Sequence, residues 1–121
     1  MATNYEQDGR TINYTNTAAA ISAGGVVVVG EQIGIAHDDI AATTGTGVLH
    51  MEGVFDVPKV SGAVIAAGES VIWDASAGAF DDNAATPATG DVSGCCIAWE
   101  AAGAGVTTIA VKLNVGKGTV A

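Results

Sequence analysis

Seventeen glycines are spread along a chain of 121 residues, most of them between short apolar runs. Glycine reaches backbone conformations that other residues resist, so a chain punctuated this way turns often. That spacing predicts many short strands joined by turns rather than long helices. The apolar residues point the same way. The hydrophobic fraction is 49%, mostly Ala and Val; the leucines are Leu49 and Leu113, and the aromatics are two Trp, two Tyr and two Phe. A core made of small and β-branched side chains is thin, which suits a sandwich or barrel better than a helix bundle. The length is that of one domain, and a chain of this size buries roughly two-thirds of its unfolded surface without needing disulfide or metal staples.

The strand pattern is clearest near the end of the sequence. Ile109, Val111, Leu113 and Val115 alternate with Thr108, Ala110, Lys112 and Asn114, the period of a half-buried strand. Gly94 to Glu100 alternates as well, with Cys95, Ile97 and Trp99 on one side, and Ala101 to Gly105 reads as the hairpin connection between the two. Earlier candidates are Arg10–Tyr14, Val26–Val29, Ile33–Ala36, Gly47–Val54 and Ser70–Asp74. Helix signals are short: one turn at Asp38–Ala42 and another at Ala18–Ala23. The expected fold is all-β, a small β-sandwich or partly closed β-barrel of about seven to nine short strands with little or no helix. Residues 1–9 read as a polar N-terminal arm, 10–115 as a single β-domain and 116–121 as a C-terminal tail.

Charge narrows the choice of partner. Thirteen acidic residues against four basic ones, Arg10, Lys59, Lys112 and Lys117, give a net charge of −9. Direct binding to nucleic acid or to an anionic membrane needs clustered Lys and Arg, so neither is expected. The acidity serves solubility at high local concentration, or matches a basic patch on a partner. The N-terminal residues carry no basic region and no apolar run, so no signal peptide is expected. The two cysteines are adjacent, Cys95-Cys96. Neighbours in a strand point to opposite faces, which predicts one in the core and the other facing outward or into a contact, both as reduced thiols of a protein made in a cytoplasm.

No pattern of catalytic residues emerges. Gly116-Lys117 is followed by Gly118 rather than Ser or Thr, so there is no phosphate loop. No nucleophile elbow surrounds a serine. His37 and His50 stand thirteen apart with Asp38 and Asp39 beside the first, short of the three or four convergent ligands of a metal centre. They read instead as turn residues and a strand face. Asp81-Asp82-Asn83 lacks the alternating ligands of a calcium loop and reads as a β-turn. No enzyme activity, cofactor or metal is expected. The large side chains Phe55, Trp73, Phe80 and Trp99 serve as core anchors in a core short of bulk; alternatively Trp73 or Trp99 sits at an interface, where Trp is enriched. Pro58-Lys59, after a strand, is either a rigid turn presenting Lys59 or an edge-strand terminator.

Several segments, in order, resemble the DUF2190 family of tailed-phage capsid decoration (cement) proteins. They are Met1-Ala2-Thr3-Asn4-Tyr5 with Gly9 soon after, Gly24 to Gly30 followed by Gly34-Ile35-Ala36, and Glu52-Gly53-Val54-Phe55-Asp56-Val57-Pro58-Lys59. Val71-Ile72-Trp73-Asp74, Gly94 to Ala102 and Val111-Lys112-Leu113 complete the series. The third segment is the most specific, and residues after Asn114 extend beyond the pattern. The resemblance implies a structural protein that binds the outer surface of the expanded capsid and stabilises it as a homotrimer at local three-fold sites. The implied partner is the major capsid protein and the implied location is the virion. The candidate capsid or subunit contacts are Thr3, Asn4, Tyr5, Lys59 and Trp73, with the arm adding a strand to an exposed sheet edge. The candidate core anchors are Phe55, Pro58, Phe80 and Trp99. The alternative is a receptor- or carbohydrate-binding β-module of a phage or prophage particle.

Overall fold

The computed structural model describes residues 3–4 and 6–121, and in these there is no helix. Ten strands follow one another: β1 (Thr11–Thr15), β2 (Val26–Val29), β3 (Gln32–Ala36), β4 (Thr46–His50), β5 (Val54–Pro58), β6 (Ser70–Asp74), β7 (Ala79–Asp81), β8 (Val92–Ala98), β9 (Thr108–Lys112) and β10 (Thr119–Val120). They form two antiparallel sheets. The smaller has the order β1-β4-β3-β2. The larger runs β5-β9-β8-β6-β7, with β10 also on β8. The chain is a small all-β sandwich.

The expected strand Gly47–Val54 is two strands in different sheets. β4 stops at His50, and Met51, Glu52 and Gly53 carry the chain across to β5. Gly53 makes this change of sheet at φ +114, a backbone conformation that a residue with a Cβ adopts only under strain. At the other end, β9 stops before the alternation does. Asn114 has φ +51 and turns the chain, so Val115 leaves the core face and is exposed. The segment 116–121, expected as a tail, returns to the sheet. β10 pairs Thr119 with Ser93 and Val120 with Val92, on the side of β8 that β9 leaves after pairing at Ile97 and Ala98.

The main core lies between the sheets. Ile33 and Ile35 face it from the smaller sheet, and Val57, Val71, Trp73, Phe80, Ile109, Val111 and Leu113 from the larger. A second cluster, Val27, Ala36, Ile40 and Leu49, covers the opposite face of the smaller sheet with Tyr14 and Ile21 packed on it. The segments that lead into β2 and β4 close over this face through the Ile21–Ile40 bridge. The smaller sheet is therefore apolar on both sides, which is why Val26 to Val29 is an unbroken run instead of an alternation.

Candidate functional site

The larger sheet leaves its outer face open. In register across it stand Val54, Lys112, Ile97 and Ser70, and beside them Asp56 opposite Ala110 and Pro58 opposite Thr108. Trp99 follows directly on β8 and continues the outward side of Ile97; its backbone N–H donates to Ala110 O at 2.8 Å. Trp99 is 58% exposed, and Val54, in the neighbouring row across Lys112, is 44% exposed. Lys112 Nζ lies 5.3 Å from the centre of the Trp99 ring, a cation–π contact that covers one side of the indole. Glu100 Oε1 accepts from Ala110 N at 3.2 Å and steadies the same corner.

This placement exchanges the roles expected of the two tryptophans. Trp73, a candidate contact, is 8% exposed and packs edge-to-face on Phe80 with ring centres 5.1 Å apart. Trp99, a candidate core anchor, is at the surface. The cause is strand phase: Cys96 and Ala98 take the inward positions of β8, so Ile97 and Trp99 face out. The same alternation decides β5. Val57 faces in and Pro58 out, so Pro58 is not a core anchor; it ends an edge strand, where a missing N–H is tolerated. Lys59, two residues after Val57, falls on the inward side. It is 3% exposed, with Nζ donating to Val60 O at 2.8 Å and to Val106 O at 3.0 Å. Lys59 is thus a buried tie between two loops and presents nothing to a partner. Phe80 is fully buried, and Phe55 is half-buried against the core. Thr3 and Asn4 are exposed, and Tyr5 lies outside the described residues.

The adjacent thiols do not split between faces either. Gly94, at φ +86, and Cys95 form a bulge opposite the Val71–Ile72 step, and the extra residues turn Cys95 inward beside Cys96. Both are buried with their sulfurs 3.5 Å apart. The bond between them raises the pKa of Cys95, with burial adding to it, and lowers that of Cys96 against the opposing effect of burial.

Two features were illegible in the sequence. One is the meeting of the two histidines: His37 Nδ1 and His50 Nε2 are 2.9 Å apart at the rim between the sheets. No motif spacing encodes this, since the pair arises from the register of β3 on β4. The other is a shallow groove of about 430 Å³ along β1 and β4, lined by Asn13, Tyr14, Thr15, Thr46, Gly47 and Val48. Its lining holds no carboxylate, histidine or cysteine, so it offers no acid–base pair.

Comparison with known proteins supplies the function class. The family model described as phage cement protein matches residues 6–113. The chain belongs to that family. No curated protein matches it. As a phage cement protein it has a structural role at a phage capsid, in the virion. The match ends at Leu113, one residue before the turn that sends the chain to β10.

Proposed function

We propose that the chain binds the outer surface of the expanded head and stabilises it, as a homotrimer at local three-fold sites, through contacts with the major capsid protein. The observation that carries this reading is Trp99 on the open face of the larger sheet. A large amphipathic ring on a flat, rigid, hydrogen-bonded surface is what an interface anchor requires. Ile97, Val54 and Ala110 supply apolar surroundings, and Lys112, Asp56 and Glu100 a polar rim. A shell under pressure from packaged DNA gains stability from any protein that buries area across several subunits at once. A standard contact buries about 1,600 Å², and repetition over the shell multiplies a moderate affinity. The protein is made in the host cytoplasm, consistent with its reduced thiols, and performs no catalysis.

The test is co-sedimentation with purified expanded heads. Trp99→Ala is expected to weaken binding by about 2 kcal/mol or more, the usual cost of an interface tryptophan, while its urea midpoint stays near that of the parent because the ring is exposed. Unchanged head binding would remove Trp99 from the contact. Light scattering over a range of concentrations reports the trimer. Fluorescence quenching of Trp99 by glycans, without head binding, would favour the carbohydrate-binding module instead.

A further inference from the structure

We propose that His37 and His50 form a binding site for a divalent transition-metal ion that favours nitrogen ligands at right angles, copper(II) or nickel(II). The site is independent of the capsid-contact face. Its two nitrogens, Nδ1 of His37 and Nε2 of His50, converge at 2.9 Å with the rings inclined at 63°. Metal–imidazole bonds of about 2.0–2.1 Å place two nitrogens about 2.9 Å apart at a right angle and about 3.3 Å apart at a tetrahedral angle. The observed separation is that of the hydrogen bond the pair makes without metal, so the two nitrogens need not move apart to hold tetragonal copper or octahedral nickel, whereas tetrahedral zinc would separate them. Imidazole suits these ions, and they stand high in the divalent affinity order.

Both ligands are held by the fold. His50 is paired to Thr11 on one side and Ile35 on the other, with its ring 5.7 Å from that of Phe55. His37 N donates to Val48 O at 3.0 Å. Asp38 Oδ2 lies 3.9 Å from Nε2 of His37, the nitrogen turned away from His50. A carboxylate there is too far for a hydrogen bond, but its charge favours the proton on Nε2 and leaves the Nδ1 lone pair for the ion. Without metal, the neutral pair shares one N–H···N hydrogen bond. On binding, that hydrogen moves to the far nitrogen of its own ring, so the neutral pair releases no proton. The excess of acidic groups, −9 overall with Asp38 and Asp39 adjacent, draws cations to this rim. Among the described residues no cluster of three metal-binding side chains forms, so water completes the coordination and the ion exchanges readily with chelators.

The experiment titrates the untagged full chain with copper(II) near neutral pH in a non-coordinating buffer, read by electron paramagnetic resonance, and repeats the titration with nickel(II) by calorimetry. One ion per chain is expected, with hyperfine coupling to two imidazole nitrogens. His37→Ala and His50→Ala each lower affinity by about tenfold or more and leave one coupled nitrogen, whereas Asp38→Asn weakens binding by about tenfold with both nitrogens kept. His37 is exposed, so its variant folds and carries the test even where the His50 variant does not. Coupling to fewer than two imidazoles in the parent, or equal affinity in the His37 variant, overturns the proposal.

Discussion

At the scale of single residues, Asn114 holds more of the sandwich together than its place at a strand end suggests. Its Oδ1 accepts from Ile33 N at 3.0 Å, and its Nδ2 donates to Ile33 O at 2.7 Å and to Met51 O at 2.6 Å. β4 pairs with β3 only at Ile35 and Ala36, so the backbone of Ile33 would otherwise lack a neighbour on that side. The amide acts as a short piece of strand and joins the smaller sheet to the end of β9. Asparagine also tolerates the left-handed backbone at this position better than most residues. Asn114→Ala leaves three buried or half-buried backbone groups without partners and strains the turn. The expected loss is about 3 kcal/mol, read as a fall in urea midpoint at constant slope. Asn114→Asp keeps the acceptor but loses both donors, so it is expected to recover only part of that loss. An Ala variant as stable as the parent would mean that water satisfies Ile33.

At the scale of elements, the bulge in β8 decides what alternation alone misjudges. Period-two reasoning separates Ile97 and Trp99 from Cys96 and Ala98 correctly, but it cannot say which set faces in. It assigned Cys95 to the side of Trp99 because nothing in the sequence announces a bulge except Gly94, one glycine among seventeen. The strands themselves were legible where patterning was local, as in Val26–Val29 and Ser70–Asp74, whose bounds coincide with β2 and β6. What escaped was fixed by contacts distant in sequence: the change of sheet at Gly53, the return of β10 to β8, and the His37–His50 pair. The bulge has a chemical consequence. Cys95 and Cys96 are 1% and 0% exposed, and the Cys95 thiol is held in its protonated form by its bond to Cys96. Although that bond lowers the pKa of Cys96, no reagent reaches its sulfur. Both thiols are expected to resist iodoacetamide in the folded chain at mildly alkaline pH and to react in denaturant, as counted by mass spectrometry. Rapid labelling of either one in the native chain would show that β8 opens locally.

At the scale of the whole molecule, the charge balance sets opposite salt dependences for the two associations proposed. Each of the four basic side chains is already engaged within the chain. Arg10 pairs with Glu52 at 3.2 Å and Lys117 with Glu31 at 3.3 Å, Lys59 is buried on carbonyls, and Lys112 lies over Trp99. Thirteen acidic groups therefore dominate the field around the molecule. Copies of the chain repel one another, and the repulsion is screened as salt rises, since the Debye length falls from about 30 Å at 0.01 M to about 10 Å at 0.1 M. Self-association into trimers is thus expected to strengthen with salt. Binding to a shell whose contact surface is basic should do the reverse, because steering between opposite charges is lost first, and lost mainly from the association rate. Measuring both over the same range of ionic strength separates two designs. If trimers need salt while head binding weakens with it, the chains meet on the shell, where the capsid's charge offsets their repulsion. If head binding also strengthens with salt, the shell surface is not basic, and the apolar ground around Trp99 has to supply the attraction.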